Sequence, residues 1–280
     1  MSLLDELLGG LPQATFYAEH FERAPLHVSS RVTERSLPVD ELNALIRATA
    51  EANPRRLRAN VNGAVLVPPR NASPAALAAW AHEVHANGAT LIINYIERLD
   101  LRWAEFAKEL GAALGAQVTL TVFATPPAAQ GFPPHFDTLD VFVLQLEGAK
   151  TWSLGDSAVQ LPTLRQGYIV KYEGRPRVRQ TVKLATGNLL YIPRGVVHWA
   201  GTTEERSVHI TADIDTATAG DVLSTSVREA FGRSAPEPLL GVDGWPTEGR
   251  ADALRERLSS IGEVSALIER AQQKKWARQR

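Results

Sequence analysis

GFPPHFDTLDVFVLQLEGAKTWSL, residues 131–154, carries the pattern on which the rest of the chain is organised. On a β-strand the side chains at i and i+2 point to the same face, so His135 and Asp137 deliver an imidazole and a carboxylate side by side into one pocket. The pair follows a Pro/Gly-rich loop (125–134) and precedes an apolar strand (141–146). That puts it at a strand entrance beside a loop, where sites are usually built on a rigid sheet. A second run, GNLLYIPRGVVHWA (187–200), supplies the candidate third ligand. There Gly187 and the turn Pro193, Arg194, Gly195 bracket an apolar strand at 189–192, and the chain then runs straight into Val196, Val197 and His198.

An H-x-D pair alone is common by chance and gains its weight from this context. Two histidines and one carboxylate on one side of a metal leave the opposite positions open, the arrangement used by non-haem Fe(II) oxygenases. The ligands do not fix the metal, because the affinity order favours copper or zinc over iron. Glu147 and Gly148 read as a hairpin turn between strands at 141–146 and 150–154, which places Lys150 on the strand adjacent to the one fed by the H-x-D pair. An exposed hairpin lysine is the alternative for that position.

The segments TPPAAQGFPPHFDTLDVFVLQLEGAKTW and GNLLYIPRGVVHWA resemble the signature strands of the JmjC-type, cupin-like protein hydroxylases, the group that includes the ribosomal oxygenases. The resemblance runs from about 119 to 152, resumes over 187–200 and continues through 207–211, with a further matching segment at 22–28. It implies a mainly β fold with helical additions: a double-stranded β-helix (cupin or jelly-roll) core flanked by N- and C-terminal helices. It further implies Fe(II) held by His135, Asp137 and His198, 2-oxoglutarate and O2 as co-substrates, and hydroxylation of a side chain in a protein or peptide. Lys150 would pair with the distal carboxylate of 2-oxoglutarate, and Thr121 and Thr211 would contribute to its pocket. The chain departs from its relatives at Thr121 and Phe123, where an Asn and a Tyr are usual, and at Asn188, often an Asp. Thr121 can still donate a hydrogen bond and Phe123 cannot, so the co-substrate's setting or the substrate pocket has changed. Hydroxylation of a small ribosomally made peptide or another small molecule, a metal-binding cupin without 2-oxoglutarate chemistry, and a non-catalytic binding protein stay open as alternatives.

Composition narrows the field. The 280 residues suffice for one large domain or two modest ones. Cysteine is absent, which removes disulfides, thiolate-held zinc, iron–sulfur clusters and thiol catalysis, and leaves metal binding to His and carboxylates. The net charge of −1 provides no basic field for nucleic acid. No apolar run reaches transmembrane length, and MSLLDELLGG has acids where a signal peptide needs bases, so a cytoplasmic protein is expected.

Residues 1–115 read as a helical and mixed part contributing to the core, 116–215 as the catalytic barrel, and 216–280 as a helical region suited to homodimerisation. In the first part, helices are expected at 40–52, at 73–86 behind a Ser73 N-cap, and at 100–114 with Leu101, Phe106, Ala107, Leu110 and Leu114 along one face. A hairpin around Asn62 and Gly63 (57–67) and a strand at 90–96 lie between them. Further strands are expected at 161–169 and 171–184, and further helices at 217–231, 251–260 and 263–276, with a Pro/Gly-rich connection at 234–249. His82 and His85 read as surface helix residues, since HEVH lacks the four-residue spacing of a zinc helix. Lys171, Arg175, Arg177 and Arg179 read as a solvated edge. His209 reads as a satisfied core histidine, with a pocket-facing ring as the other reading, and the tail QQKKWARQR as a solvated helix end.

Overall fold

A computed structural model describes residues 2–29, 37–202, 204–231 and 264–277. Two compact units emerge, one holding residues up to 114 together with 118–215, the other 115–117 with 216–280. The first unit carries the helices α1 (Leu3–Leu7), α2 (Gln13–Thr15), α3 (Val39–Ala52), α4 (Pro74–Ala86) and α5 (Leu101–Leu114). Its strands are β1 (Leu26–Val28), β2 (Leu57–Val61), β3 (Ala64–Leu66), β4 (Thr90–Asn94), β5 (Ala116–Thr125), β6 (His135–Asp137), β7 (Asp140–Ser157), β8 (Ile169–Lys171), β9 (Gln180–Ala185), β10 (Leu189–Ile192), β11 (Val196–Gly201) and β12 (Ser207–Thr216). Neighbouring strands run in the order β3-β2-β4-β5-β12-β7-β11-β6-β8, with β1 on β10 and both β9 and β10 on β7. This curled antiparallel sheet, closed by helices, is the expected cupin or jelly-roll architecture.

One strand joins its two halves. The first part of β7 pairs with β10 and β12, and its second part with β9 and β11. The hairpin expected at Glu147 and Gly148 is therefore absent, and Lys150 continues the same strand. The reason lies at Gly148, which takes φ +65° opposite Ser207, next to a register shift where Val208 and His209 face Glu147 and Gln145. There the strand bends without reversing. A Cβ at Gly148 would lie 1.9 Å from the Arg206 carbonyl oxygen. Gly148→Ala combines a strained backbone with a backbone clash, and is expected to cost about 2–4 kcal/mol in urea unfolding.

Alternation along β7 sorts its residues. Val141, Val143, Trp152 and Leu154 join Val182, Leu184, Leu190, Ile192, Val196 and Ala200 in one buried cluster. On the other face Phe142 and Tyr191 pack on Phe16, with ring centroids 5.8 and 5.1 Å away. Beneath this aromatic cluster the Tyr191 hydroxyl donates to Asp140 Oδ1 (2.5 Å) and accepts from the Glu22 amide (2.8 Å), while Arg194 pairs with Glu22. The Arg194 Nε lies 3.8 Å from Asp140 Oδ2.

Burial pushes the Asp140 carboxyl up to about 6, against the opposing pull of Tyr191 and Arg194. A carboxyl with a raised folded pKa holds its proton more tightly when folded, so stability is greatest below about pH 4 and falls as pH rises through 6. Asp140→Asn keeps an oxygen for Tyr191 and removes that titration. Between pH 4 and 7 the wild type is expected to lose about 3 kcal/mol relative to the variant, measured by urea unfolding at both pH values.

Several smaller expectations shift. Leu101 is 83% exposed, and Trp103, fully buried, anchors α5 instead. The strand from Thr90 stops at Asn94 because Tyr95 takes φ 63°. β1 is a strand in a part expected to be mainly helical, and the strands proposed at 161–169 and 171–184 shrink to β8 and β9 with a helical turn at Leu164–Gln166. In the second unit α6 (Ala219–Phe231) packs on α7 (Val264–Ala277). The helix expected at 251–260 and the connection at 234–249 lie outside the described residues. Among the described residues no helix is long and apolar enough to cross a membrane.

Candidate metal centre

His135 and His198 face each other as register partners on β6 and β11, their ring centroids 4.3 Å apart, and Asp137 shares the face of His135 two residues on. One ligand atom from each of the three lies within 4.8 Å of the others. The two histidines are buried, at 8% and 3% exposure, and Asp137 is partly open. Local carbonyls fix both rings: His135 Nδ1 lies 2.8 Å from the Pro133 oxygen and His198 Nδ1 2.9 Å from the Val196 oxygen. A ring that donates through Nδ1 to a carbonyl offers its Nε2 lone pair, the second-sphere arrangement typical of metal-binding histidines. The tip of the β2–β3 hairpin props this from behind, since a Cβ at Gly63 would lie 2.8 Å from Pro133 Cδ.

Electrostatics favour a neutral His135 and an anionic Asp137. Burial and the neighbouring His198 push His135 down to about 4. Burial works against ionised Asp137, but the hydrogen bond and charge of His198, then of His135, outweigh it and lower its pKa. His198 is the converse: burial lowers it, and Asp137, 3.5 Å from Nε2, raises it on balance. Three donors of these types on one side of a small space fit a divalent ion with open positions.

Beside the triad sits a second polar group. Lys150 is 4% exposed, and among the described residues its Nζ hydrogen-bonds only to Thr125 Oγ1 (3.0 Å), which also accepts from Thr90. Among the described residues no carboxylate neutralises it, and burial pushes it down to about 7. Phe123 stacks on His209 (5.0 Å, 8°), and Trp152 lies 5.6 Å from His209 and 6.0 Å from both the His198 ring and the Lys150 ammonium. Among the described residues, Trp152 Nε1 and His209 Nδ1 are buried without hydrogen-bond partners. A buried ammonium with unused donors, walled by aromatic rings, fits an anion.

The JmjC domain profile matches residues 97–222. Over that stretch the chain is similar to a JmjC domain. Over 223 residues it is 29% identical to the bifunctional lysine-specific demethylase and histidyl-hydroxylase NO66 of Drosophila pseudoobscura pseudoobscura, covering 74% of this chain and 22% of that protein. Over 145 residues it is 37% identical to ribosomal oxygenase 2 of Bos taurus, covering 50% of this chain and 30% of the relative. The chain thus spans between about a fifth and a third of the curated relatives' length. The structure of YcfD, a ribosomal oxygenase from Escherichia coli in complex with cobalt and 2-oxoglutarate, aligns with TM-score 0.61 at 17% identity, over 90% of this chain and 66% of that one. The two chains share the double-stranded β-helix fold.

Of the residues singled out from sequence, the barrel brings together His135, Asp137 and His198, with Lys150 across the Trp152 ring from His198. Thr121, 7% exposed, turns its hydroxyl to Asn94 Oδ1 (3.4 Å), and Thr211 lies two residues from His209 on the same face of β12. Asn188 stands apart in a turn, its amide donating to the Ser29 carbonyl (2.8 Å) and accepting from the Ala185 amide. His82 is exposed, His85 Nδ1 lies 3.1 Å from the Ala89 carbonyl just past its helix, and Arg179 pairs with Asp156 in the solvated edge. The sequence reading missed Thr125, two residues beyond Phe123 on β5, and Asp213, two beyond Thr211 on β12. Burial, then Asp137 and Glu97, push the Asp213 carboxyl well up. Strand alternation carried one step further would have found Asp213.

Proposed function

We propose that this chain is an Fe(II)- and 2-oxoglutarate-dependent oxygenase that hydroxylates an amino-acid side chain in a protein or peptide. The observation that carries the reading is the pairing of a carbonyl-oriented His135, Asp137, His198 set with an uncompensated buried lysine beside it. An ion-binding cupin without an oxo-acid co-substrate gives Lys150 no purpose at such cost, which argues against that alternative. The relatives' names, histidyl-hydroxylase and ribosomal oxygenase, support the same class.

In this reading His135 and His198 bind Fe(II) through Nε2 and Asp137 through its carboxylate. Iron so bound supplies the coupling of O2 reduction to oxidative decarboxylation of 2-oxoglutarate, which yields succinate, CO2 and a hydroxylated substrate carbon. Lys150 orients the co-substrate by its distal carboxylate, with Thr121 and Thr211 lining the same pocket. Phe123, Phe132 and Trp152 exclude water around it. An extended polypeptide is supported by the free edge of β8, which among the described residues pairs only with β6 and exposes Tyr168 (59%) and Ile169 (49%) one strand from the ligands. Residues 1–115 and 116–215 together build the catalytic part. Exposed Leu223 and Ile268 on α6 and α7 support a homodimer through 216–280, and a cytoplasmic setting suits the cysteine-free chain.

The deciding experiment is an anaerobic titration with Fe(II) and then 2-oxoglutarate, watching for the visible metal-to-ligand charge-transfer band. Its appearance, followed by succinate release on admitting O2, is the expected result. Metal binding with no band would overturn the reading in favour of another cupin chemistry.

A further inference from the structure

His209 is built for a partner that the protein itself does not provide. It is 2% exposed, and its Nδ1 is sealed from solvent with no hydrogen bond among the described residues. A histidine kept only for packing would leave that polar atom as an uncompensated cost, which a leucine or phenylalanine avoids. The ring is also held in place, with Phe123 stacked flat on it and the Trp152 ring edge against it. Both Trp152 and Lys150 belong to the second half of β7, and the His209 imidazole lies within the field of the Lys150 ammonium. That field, after burial, holds the imidazole neutral, so it presents one N–H donor and one acceptor.

The wall around Lys150 thus offers donors with nothing to accept them: the unused N–H groups of Lys150, Trp152 Nε1 and a donor-competent His209 Nδ1. A carboxylate has about four lone-pair sites and is the small group best able to take several donors at once. Resting on the oxygenase reading above, we propose that His209 is a second holder of the co-substrate, donating from Nδ1 to the distal carboxylate that Lys150 pairs with. Phe123 then acts as the surface that fixes the imidazole plane. His209 and Lys150 together make the pocket selective for oxo acids bearing a second carboxylate.

The test compares two ligands in one protein. Calorimetry with Mn(II) loaded gives dissociation constants for 2-oxoglutarate and for 2-oxobutyrate, which lacks the distal carboxylate, in wild type, His209→Leu, His209→Asn and Lys150→Met. His209→Leu is expected to weaken 2-oxoglutarate at least tenfold while changing 2-oxobutyrate and Mn(II) less than twofold. His209→Asn, whose amide nitrogen occupies the Nδ1 position, should return to within about threefold of wild type. A His209→Leu protein with the wild-type ratio, or a His209→Asn protein as poor as it, overturns the inference while a collapsed ratio in Lys150→Met leaves the oxygenase reading standing. A wild type that does not prefer 2-oxoglutarate, with Lys150→Met unchanged, overturns both. Should His209→Leu fail to fold, Asn against His209→Gln carries the test. Gln places its amide nearer Nε2 and should lose the ratio that Asn keeps; equal ratios in the two would reject the Nδ1 donor.

Discussion

Asp137→Ala is expected to abolish succinate formation and to lower Fe(II) affinity by on the order of a hundredfold or more, since even outer-sphere changes at such sites cost 10–100-fold. Asp137 is the one anion among the three donors, so its loss leaves two neutral imidazoles that hold a dication only through lone pairs. Its removal acts a second time through His198. The carboxylate 3.5 Å from His198 Nε2 raises the pKa of that ring, and without it burial, which lowers the pKa, is opposed by the Val196 carbonyl. Both histidine rings stay oriented by the Pro133 and Val196 carbonyls, so the variant should fold with its barrel intact. Circular dichroism, metal titration and succinate release from one preparation separate these effects. Native-like activity from a folded Asp137→Ala protein would refute the ligand assignment.

The metal site was legible because it is local. A strand's two-residue period places His135 and Asp137 on one face whatever the rest of the chain does, and the turn before Val196 leaves His198 a short run to its own strand. What failed to show was whatever depends on a strand's partners. Gly148 reads equally as the second residue of a tight turn or as a left-handed kink inside a strand, and only the Arg206 carbonyl packed against it decides. The same limit hid Thr125. Its hydroxyl matters because β7 carries Lys150 alongside it, and a pairing across 25 residues of sequence leaves no periodic trace. Leu101 failed for another reason. It fits the helical stripe of α5, yet Trp103 offers more apolar surface and takes the core position, leaving Leu101 in solvent. His209 illustrates the reverse case, since nothing in its strand distinguishes a satisfied imidazole from an orphaned one.

Lys150→Met should separate function from stability in opposite directions. The ammonium is 4% exposed with one hydroxyl partner, and burial holds its folded pKa at about 7, against the 10.5 of a free lysine. A base whose folded pKa is lowered releases its proton on folding between those values. The penalty is therefore fully present below pH 7 and fades as pH rises towards 10.5. At pH 6 that amounts to a few kcal/mol, on the order of the shift multiplied by 1.36 kcal/mol per unit. Methionine fills the same volume without the charge, so the variant should unfold at higher temperature than wild type at pH 6, with the gain shrinking by pH 9. Co-substrate binding should move the other way. The 2-oxoglutarate dissociation constant is expected to rise about a hundredfold or more, the loss of a buried charge-assisted pair being worth about 3–5 kcal/mol, while Fe(II) affinity changes little. Saturating 2-oxoglutarate should narrow the stability difference by stabilising only the protein that binds it. A variant less stable than wild type at pH 6, or one losing metal and co-substrate in equal measure, would show that Lys150 serves the fold. A more stable variant that has lost its co-substrate would mean that the chain bears a destabilising buried charge because an anion is meant to meet it.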